Sequence, residues 1–309
     1  MVISNTFTDL LAQLDDNSVA VFLFHGVTER DGFGIRNYTG KHIPQSTFVS
    51  MMQLLSHSGH AVSMDDLYAH VTMEQECPKR SFVVTFDDGF WNNLNVAAPI
   101  LKDLAIPATF YVTSDFAEFG SRSWTDRIEA AVASTPLREV QCPQPLEGIY
   151  SLVTTGDRVA FLRGVRESVK ASRTTDPDSF ADLLVHQLMG DKESDFVETL
   201  DRKLNWNEIR QLDSDPLFCV GGHGQTHRIL GYLPHQEMKD EVTQCISLLR
   251  SKGGVAAEHF SYPEGFIGSY SRGLQDVLGE LNVRTGVTTV PGGNRPGQDP
   301  FELRRIFVA

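Results

Sequence analysis

The sequence predicts an α/β fold, a distorted or incomplete (β/α) barrel of about seven strands with a mostly helical insertion. Three observations predict it. Short apolar runs alternate with one-sided helical patterns in two blocks of the chain, residues 19–112 and 206–308. No GxGxxG follows the first apolar run, as a doubly wound dinucleotide fold would require. Between the blocks, residues from about 121 to 203 keep helical patterns with almost no strand-like run, so they read as an insertion into one domain spanning 1–309.

The elements follow in order. Val19–Phe24 is a buried strand, followed by a polar loop from Thr28 to Pro44. Ser46 reads as the N-cap of a helix whose apolar residues Phe48, Met51, Met52 and Leu55 share one face, stopped at Gly59. Ala61–Met64 is a short strand, and Asp65 or Asp66 caps the helix after it. Ser81–Phe86 is a strand running into Asp87-Asp88-Gly89, after which Asn92 or Asn93 opens a helix through Val96, Ile100, Leu101 and Leu104. Ala108–Val112 is the next strand. The insertion carries helical patterns at Trp124–Ala133, Arg158–Val169 and Phe180–Met189, and reads as a structural cap or a lid. Beyond it come a helix at Trp206–Leu212, a strand at Leu217–Val220, a long helix from Pro234 to Arg250 and a strand at His259–Ser261. A helix at Ser271–Leu281, a strand at Thr285–Thr289 and the segment Leu303–Val308 close the pattern.

Composition narrows the function. The 309 residues carry 27 Lys and Arg against 40 Asp and Glu, a net charge of −13, which repels phosphate backbones and excludes a nucleic-acid partner. No apolar run reaches the roughly 18 residues of a membrane span, so no integral membrane segment is expected. The apolar run Val19–Phe24 follows two Asp and lacks a basic flank, reading as a strand rather than a signal peptide. Cys77, Cys142, Cys219 and Cys245 have neither zinc-knuckle nor disulfide-framework spacing. Reduced thiols, and with them a cytoplasmic location, are the expectation. Oligomeric state leaves no trace in the sequence.

Four strand ends carry chemistry. Asp87 and Asp88 sit at the C-terminal end of a strand, where reactive residues of α/β barrels collect. Adjacent carboxylates there are expected to project to opposite sides, one holding a cation while the other moves protons; the plain alternative is an Asp-Asp-Gly turn capping the next helix. In Gly221-Gly222-His223-Gly224-Gln225-Thr226-His227, histidines at i and i+4 can share one face of a helical turn and converge on one metal. A His2Asp triad leaves coordination positions open, as a catalytic metal requires. Phe260-Ser261-Tyr262-Pro263-Glu264-Gly265 forms a turn that can aim a backbone N–H at an oxyanion. Phe24-His25-Gly26 puts a histidine on the same rim, a general acid or a structural residue.

Together these motifs resemble the polysaccharide deacetylase family, the NodB-homology carbohydrate esterases, over about Val19–Ser114 and Trp206–Val308. TFDDG at Thr85–Gly89 is similar to the family's first motif, which implies Asp87 as catalytic base and Asp88 as metal ligand. HGQTH at His223–His227 is similar to the second, implying both histidines as ligands. FSYPEG resembles the FxYPxG third motif of the branch of poly-N-acetylglucosamine deacetylases, in which a histidine after an N-terminal strand is the general acid, implying His25. The stretch Arg36-Asn37-Tyr38 through Lys41-His42 resembles members encoded with surface-polysaccharide genes. The chain departs from the commoner pattern in lacking an Arg in the third motif, a place that Arg304 or Arg305 could fill, and in having no His after His259.

The resemblance implies a TIM-barrel-like catalytic domain binding a divalent metal, zinc first, with Co, Ni or Fe compatible with the same ligands. It implies a hydrolase that removes N-acetyl groups from an amino-sugar saccharide or its precursor, with Asp87 as base, protonated His25 as acid, and an N–H near Tyr262 and Pro263 on the oxyanion. A deformylase or cyclic amidase on the same scaffold is the nearer alternative, and a non-catalytic carbohydrate-binding protein the farther one. The other histidines take structural readings. His42 is expected at the surface, with the substrate groove as its alternative, and Trp124 and Trp206 as anchors or sugar-stacking rings.

Overall fold

The computed structural model describes residues 7–190 and 199–309. In chain order its elements are α1 (Phe7–Ala12), β1 (Ala20–Phe24), β2 (Gly26–Thr28), β3 (His42–Pro44), α2 (Gln45–Ser58), β4 (His60–Ala61), α3 (Met64–Val71), β5 (Ser81–Phe86), α4 (Ala98–Asp103), β6 (Ala108–Val112), α5 (Ser114–Phe119), α6 (Trp124–Ser134), β7 (Glu139–Cys142), β8 (Gly148–Ser151), α7 (Thr155–Ala171) and α8 (Pro177–Met189). Then follow α9 (Trp206–Asp213), β9 (Phe218–Gly222), α10 (His235–Leu248), β10 (His259–Ser261), α11 (Arg272–Glu280), β11 (Thr285–Val287) and β12 (Ile306–Phe307). The chain divides into two units, one of residues up to 31, 41–121 and 203–309, the other of residues 32–40 and 122–202.

The larger unit is an α/β fold around a curled, open parallel sheet of seven strands in the order β11-β10-β9-β6-β5-β1-β12, with β4 pairing the start of β5. One C-terminal segment meets both ends of this order: Leu303 bridges Val287 on the edge strand β11, and β12, the other edge, pairs with β1 through Ile306 and Phe22. This is the distorted barrel the alternation of strands and helices predicts. Side chains alternate across the sheet. Phe22, Phe24, Phe82, Val84, Phe86, Phe110 and Val220 pack on the helices. Val19, Val21, Val83, Tyr111, Val287 and Leu303 instead pack together on the concave face. The same parity continued to the strand ends aims residues 25, 87, 113, 223 and 261 into the concavity.

Several local expectations need correction. The cap before α3 is Ser63, which accepts from the Asp66 N–H while Asp66 accepts from the Ser63 N–H, so Asp66 is the third residue of a capping box and not the cap itself. Ser46 lies inside α2, whose N-cap is Pro44. The loop expected from Thr28 to Pro44 contains β3, which pairs in parallel with β2. Gly26 permits that pairing, because a Cβ there would meet the ring of His42 at 1.9 Å. His42 is consequently buried, not at the surface.

The second unit packs α6, α7 and α8 around Trp124, Ile128, Val132, Phe161 and Leu184. Thr154 caps α7 through a box with Asp157, and Asp176 caps α8. Sequence reading missed its antiparallel hairpin β7–β8, since four-residue strands give too few alternations to register. Residues 32–40 also belong here, tied in by buried Arg36, which pairs with Asp201 and, at 3.5 Å, with Glu129. Among the described residues no helix is long and apolar enough to cross a membrane.

Candidate active site

Asp87 follows β5 on the concave side, its N–H bonded to the Phe24 carbonyl at 3.0 Å. Arg305 holds its carboxylate with two bonds, Nη1 to Oδ1 and Nη2 to Oδ2, each 2.7 Å. The Ser261 hydroxyl accepts from Arg305 Nη2 at 2.9 Å and donates to Asp87 Oδ2 at 3.1 Å. Arg305, 1% exposed, is itself fixed by Nε donating to the Thr288 carbonyl at 2.8 Å. A planar guanidinium suits this fork better than any other cation. Of the two arginines considered from sequence, Arg305 reaches Asp87, whereas Arg304 packs beside Gly292. Burial pushes the Asp87 pKa up, but Arg305 and then His223 outweigh it and hold the carboxyl below its ordinary range.

Asp88 does not project away from Asp87, as two successive strand residues would. β5 ends at Phe86, and Asp88 and Gly89 take left-handed backbone, φ 71° and 60°. That turn swings the second carboxylate back to the side of the first. Asp88 Oδ1 lies 3.5 Å from His223 Nε2 and 3.2 Å from His227 Nε2, while Asp87 Oδ2 lies 3.9 Å from His223 Nε2. Burial again opposes charge on Asp88, yet His223, His227 and Lys203 hold its pKa well below the ordinary value.

His223 is locked by its backbone, N–H to the Val112 carbonyl at 2.9 Å, and by Nδ1 to the Ser261 carbonyl at 2.8 Å. A proton on Nδ1 leaves Nε2 as the lone-pair donor. His227 reaches the same point from a loop and not from a helical turn: Gly224 and His227 both adopt positive φ, 79° and 64°. Its ring stacks on Phe116 at 6.3 Å. The donor atoms of Asp88, His223 and His227 all lie within 4.8 Å of one another. Tetrahedral ligands about 2.0–2.1 Å from zinc stand roughly 3.4 Å apart. The two distances from Asp88 Oδ1 to the histidine Nε2 atoms, 3.5 and 3.2 Å, are close to that spacing.

His25 stands on the same rim, its ring edge-on to Phe307 and its carbonyl accepting from Asn93 Nδ2 at 2.7 Å. Its Nδ1 is buried without a hydrogen-bond partner. Burial pushes its pKa down to about 4, against the pull of Asp88 and Asp87, so the ring is neutral at pH 7 in the metal-free protein. This has a measurable consequence in metal-free protein. The unfolded chain protonates His25 near 6.5 and the folded chain only near 4. Stability therefore falls as pH falls through that window, by up to about 3 kcal/mol from this residue. In urea melts, His25→Gln should lose less stability than wild type between pH 7 and 4.5; equal losses would show the ring is not held neutral.

Tyr262 lies just past the end of β10. Its N–H donates to the Val287 carbonyl at 3.2 Å and its hydroxyl to the Phe301 carbonyl at 2.9 Å, while Pro263 has no N–H. Both Tyr262 donors are used in packing the sheet edge, so neither is free for an oxyanion. Residues that sequence reading missed include Ser261, between Asp87 and Arg305, and Lys203, 3.2 Å above the Phe90 ring and close enough to act on Asp88. Glu241, which bonds the loop between the two histidines, was missed as well. Ser261 had one available signal, its position two residues after His259 on the concave parity.

Residues 186–286 match the family description "Polysaccharide deacetylase". Among solved structures, the Streptococcus pyogenes deacetylase PplD in complex with acetate is similar with TM-score 0.60 at 15% identity, over 94% of this chain and 92% of that one. IcaB from Ammonifex degensii has TM-score 0.60 at 17% identity, over 96% and 94% of the two chains. The BpsB deacetylase domain from Bordetella bronchiseptica has TM-score 0.54 at 16% identity, over 96% and 98%. No curated protein matches by sequence. The family match spans His223, His227 and Tyr262 but not Asp87 or Asp88, which only the fold brings to the same point. The chain is thus polysaccharide deacetylase-like, by family signature over residues 186–286 and by fold over nearly all its length.

Proposed function

We propose that this chain is a metal-dependent hydrolase that removes N-acetyl groups from an amino-sugar saccharide or its precursor, in surface-polysaccharide synthesis. One observation carries the reading: a carboxylate clamped by Arg305 stands beside a converging His2Asp set at the C-terminal rim of a parallel barrel. Asp88, His223 and His227 would hold the cation, zinc being the ion proposed for such donors. That ion supplies Lewis-acid polarisation of the amide carbonyl and a lowered water pKa. Asp87, ionised at neutral pH and aimed by two parallel hydrogen bonds, accepts the proton that water gives up. Arg305 keeps the carboxylate from rotating. His25 begins neutral, takes a proton from solvent as the two carboxylates beside it favour its charge, and donates that proton to the departing amine, while Asp87 returns the proton it accepted to solvent as acetate leaves. Acetate, the ligand in the PplD complex, is the product this reaction would release.

The test is acetate release from N-acetylglucosamine oligomers by protein reconstituted with zinc or cobalt. Turnover should fall at least about 100-fold on chelation and return when the ion is restored. Protein that binds the ion and releases no acetate from any oligomer would sink the deacetylase reading and redirect the search to formylated and cyclic amides.

A further inference from the structure

We propose that Glu241, on α10, is a positioning residue for the metal centre: its buried carboxylate fixes the loop between His223 and His227 and so sets the separation of two ligands. The inference rests on the metal reading above. His223 belongs to the end of β9 and is held by the sheet through the Val112 carbonyl, Thr113 and Ser261. His227 lies four residues further along a loop with left-handed backbone at Gly224 and at His227 itself, so its position depends on what fixes that loop.

The loop's peptide groups are divided between two supports. Its carbonyls at Gly224 and Gln225 accept from the N–H groups of Ser114 and Asp115, at 3.2 and 3.0 Å. Its N–H groups at Gln225 and Thr226 both donate to Glu241 Oε2 at 3.1 Å, and the Thr226 hydroxyl donates to Oε1 at 2.5 Å. Glu241 is 7% exposed, and its helix neighbours Met238, Val242 and Cys245 are core residues. A buried carboxylate needs donors, and the loop supplies three. The charge therefore selects this one loop conformation, and the packed helix transmits its rigidity to His227. Backbone geometry of this kind is costly to hold at a non-glycine position without external bonds.

Removing the clamp should loosen His227 while leaving the other two ligands in place. Losing a partner that orients a ligand typically weakens metal binding by about 10–100-fold. Glu241→Ala should therefore raise the Kd for zinc by about 10–100-fold and change the visible spectrum of the cobalt form. Glu241→Gln should lose less than about tenfold, because its amide oxygen can keep both N–H bonds while its NH2 donates to Thr226. Val242→Ala controls for stability: it opens the core one residue away and removes none of the hydrogen bonds to the loop, and should bind zinc as wild type does. Glu241→Ala with wild-type zinc affinity and cobalt spectrum overturns the proposal, as does an equal loss in Val242→Ala. If wild-type protein binds neither ion, it is the metal reading that fails. The clamp is then read from amide exchange at Gln225 and Thr226 in metal-free protein, accelerated in Glu241→Ala if the carboxylate holds the loop and unchanged if it does not.

Discussion

Asp87→Asn is expected to lower acetate release by about 1,000-fold while zinc still binds within about tenfold of wild type. The asymmetry follows from what each carboxylate touches. Asp87 gives both oxygens to Arg305 and one also to Ser261, and it stands 3.9 Å from His223 Nε2. It is a neighbour of the ligand set, not a member. An amide keeps the shape and can still accept from Arg305, but it cannot take a proton near neutral pH. The variant should also be less stable, because Arg305 is almost fully buried and would keep its charge without a counter-ion. Breaking a buried pair in this way costs about 3–5 kcal/mol. Denaturant melts and single-turnover rates on zinc-loaded protein separate the two effects. A variant that folds, binds zinc and keeps more than a tenth of wild-type turnover would show that another group accepts the proton.

The barrel was legible because buried parallel strands announce themselves as short apolar runs, and because their ends carry polar motifs that strand parity sends to one place. Asp87, His223 and Ser261 follow from counting along β5, β9 and β10. What the sequence hid was mostly backbone. Asp88 breaks the parity through a left-handed turn, and no propensity marks that turn as one that returns a side chain to the concave face. The i, i+4 histidines suggested a helix, and the same convergence arises from a loop whose shape is set by a glutamate 14 residues beyond His227, a distance that short-range patterns do not span. Arg305 was one of two adjacent candidates, and only the pairing of β12 with β1 decides which faces inward. His42 carried no signal of burial because the residue that receives its ring, Gly26, is remote in sequence. Tyr262 illustrates the converse: its motif suggested a free N–H, and the neighbouring strand takes it.

Asp88→Asn should weaken zinc binding by more than about 100-fold, beyond what loss of a merely supporting partner produces. The substitution is chosen for the backbone. Asp and Asn are among the residues that best tolerate φ near 71°, so the turn survives and only the charge is removed. Asp88→Ala would add left-handed strain of about 1–2 kcal/mol at a residue with no polar side chain to support it, and would confuse strain with ligation. Metal-free stability gives a second reading. Burial opposes the charge, but His223, His227 and Lys203 hold the Asp88 pKa well below its ordinary 3.8. A depressed carboxyl contributes stability that is present above the unfolded value and is lost as pH falls through the folded one. Wild type should therefore exceed Asp88→Asn in stability at pH 6, with the gap narrowing only below about pH 4. Calorimetric zinc titration and urea melts at pH 6 and pH 3 measure both quantities. Wild-type zinc affinity in Asp88→Asn would remove the carboxylate from the ligand set, whereas weakened binding with a gap that closes in acid would identify one carboxylate as both the ligand and the anchor of its two histidines.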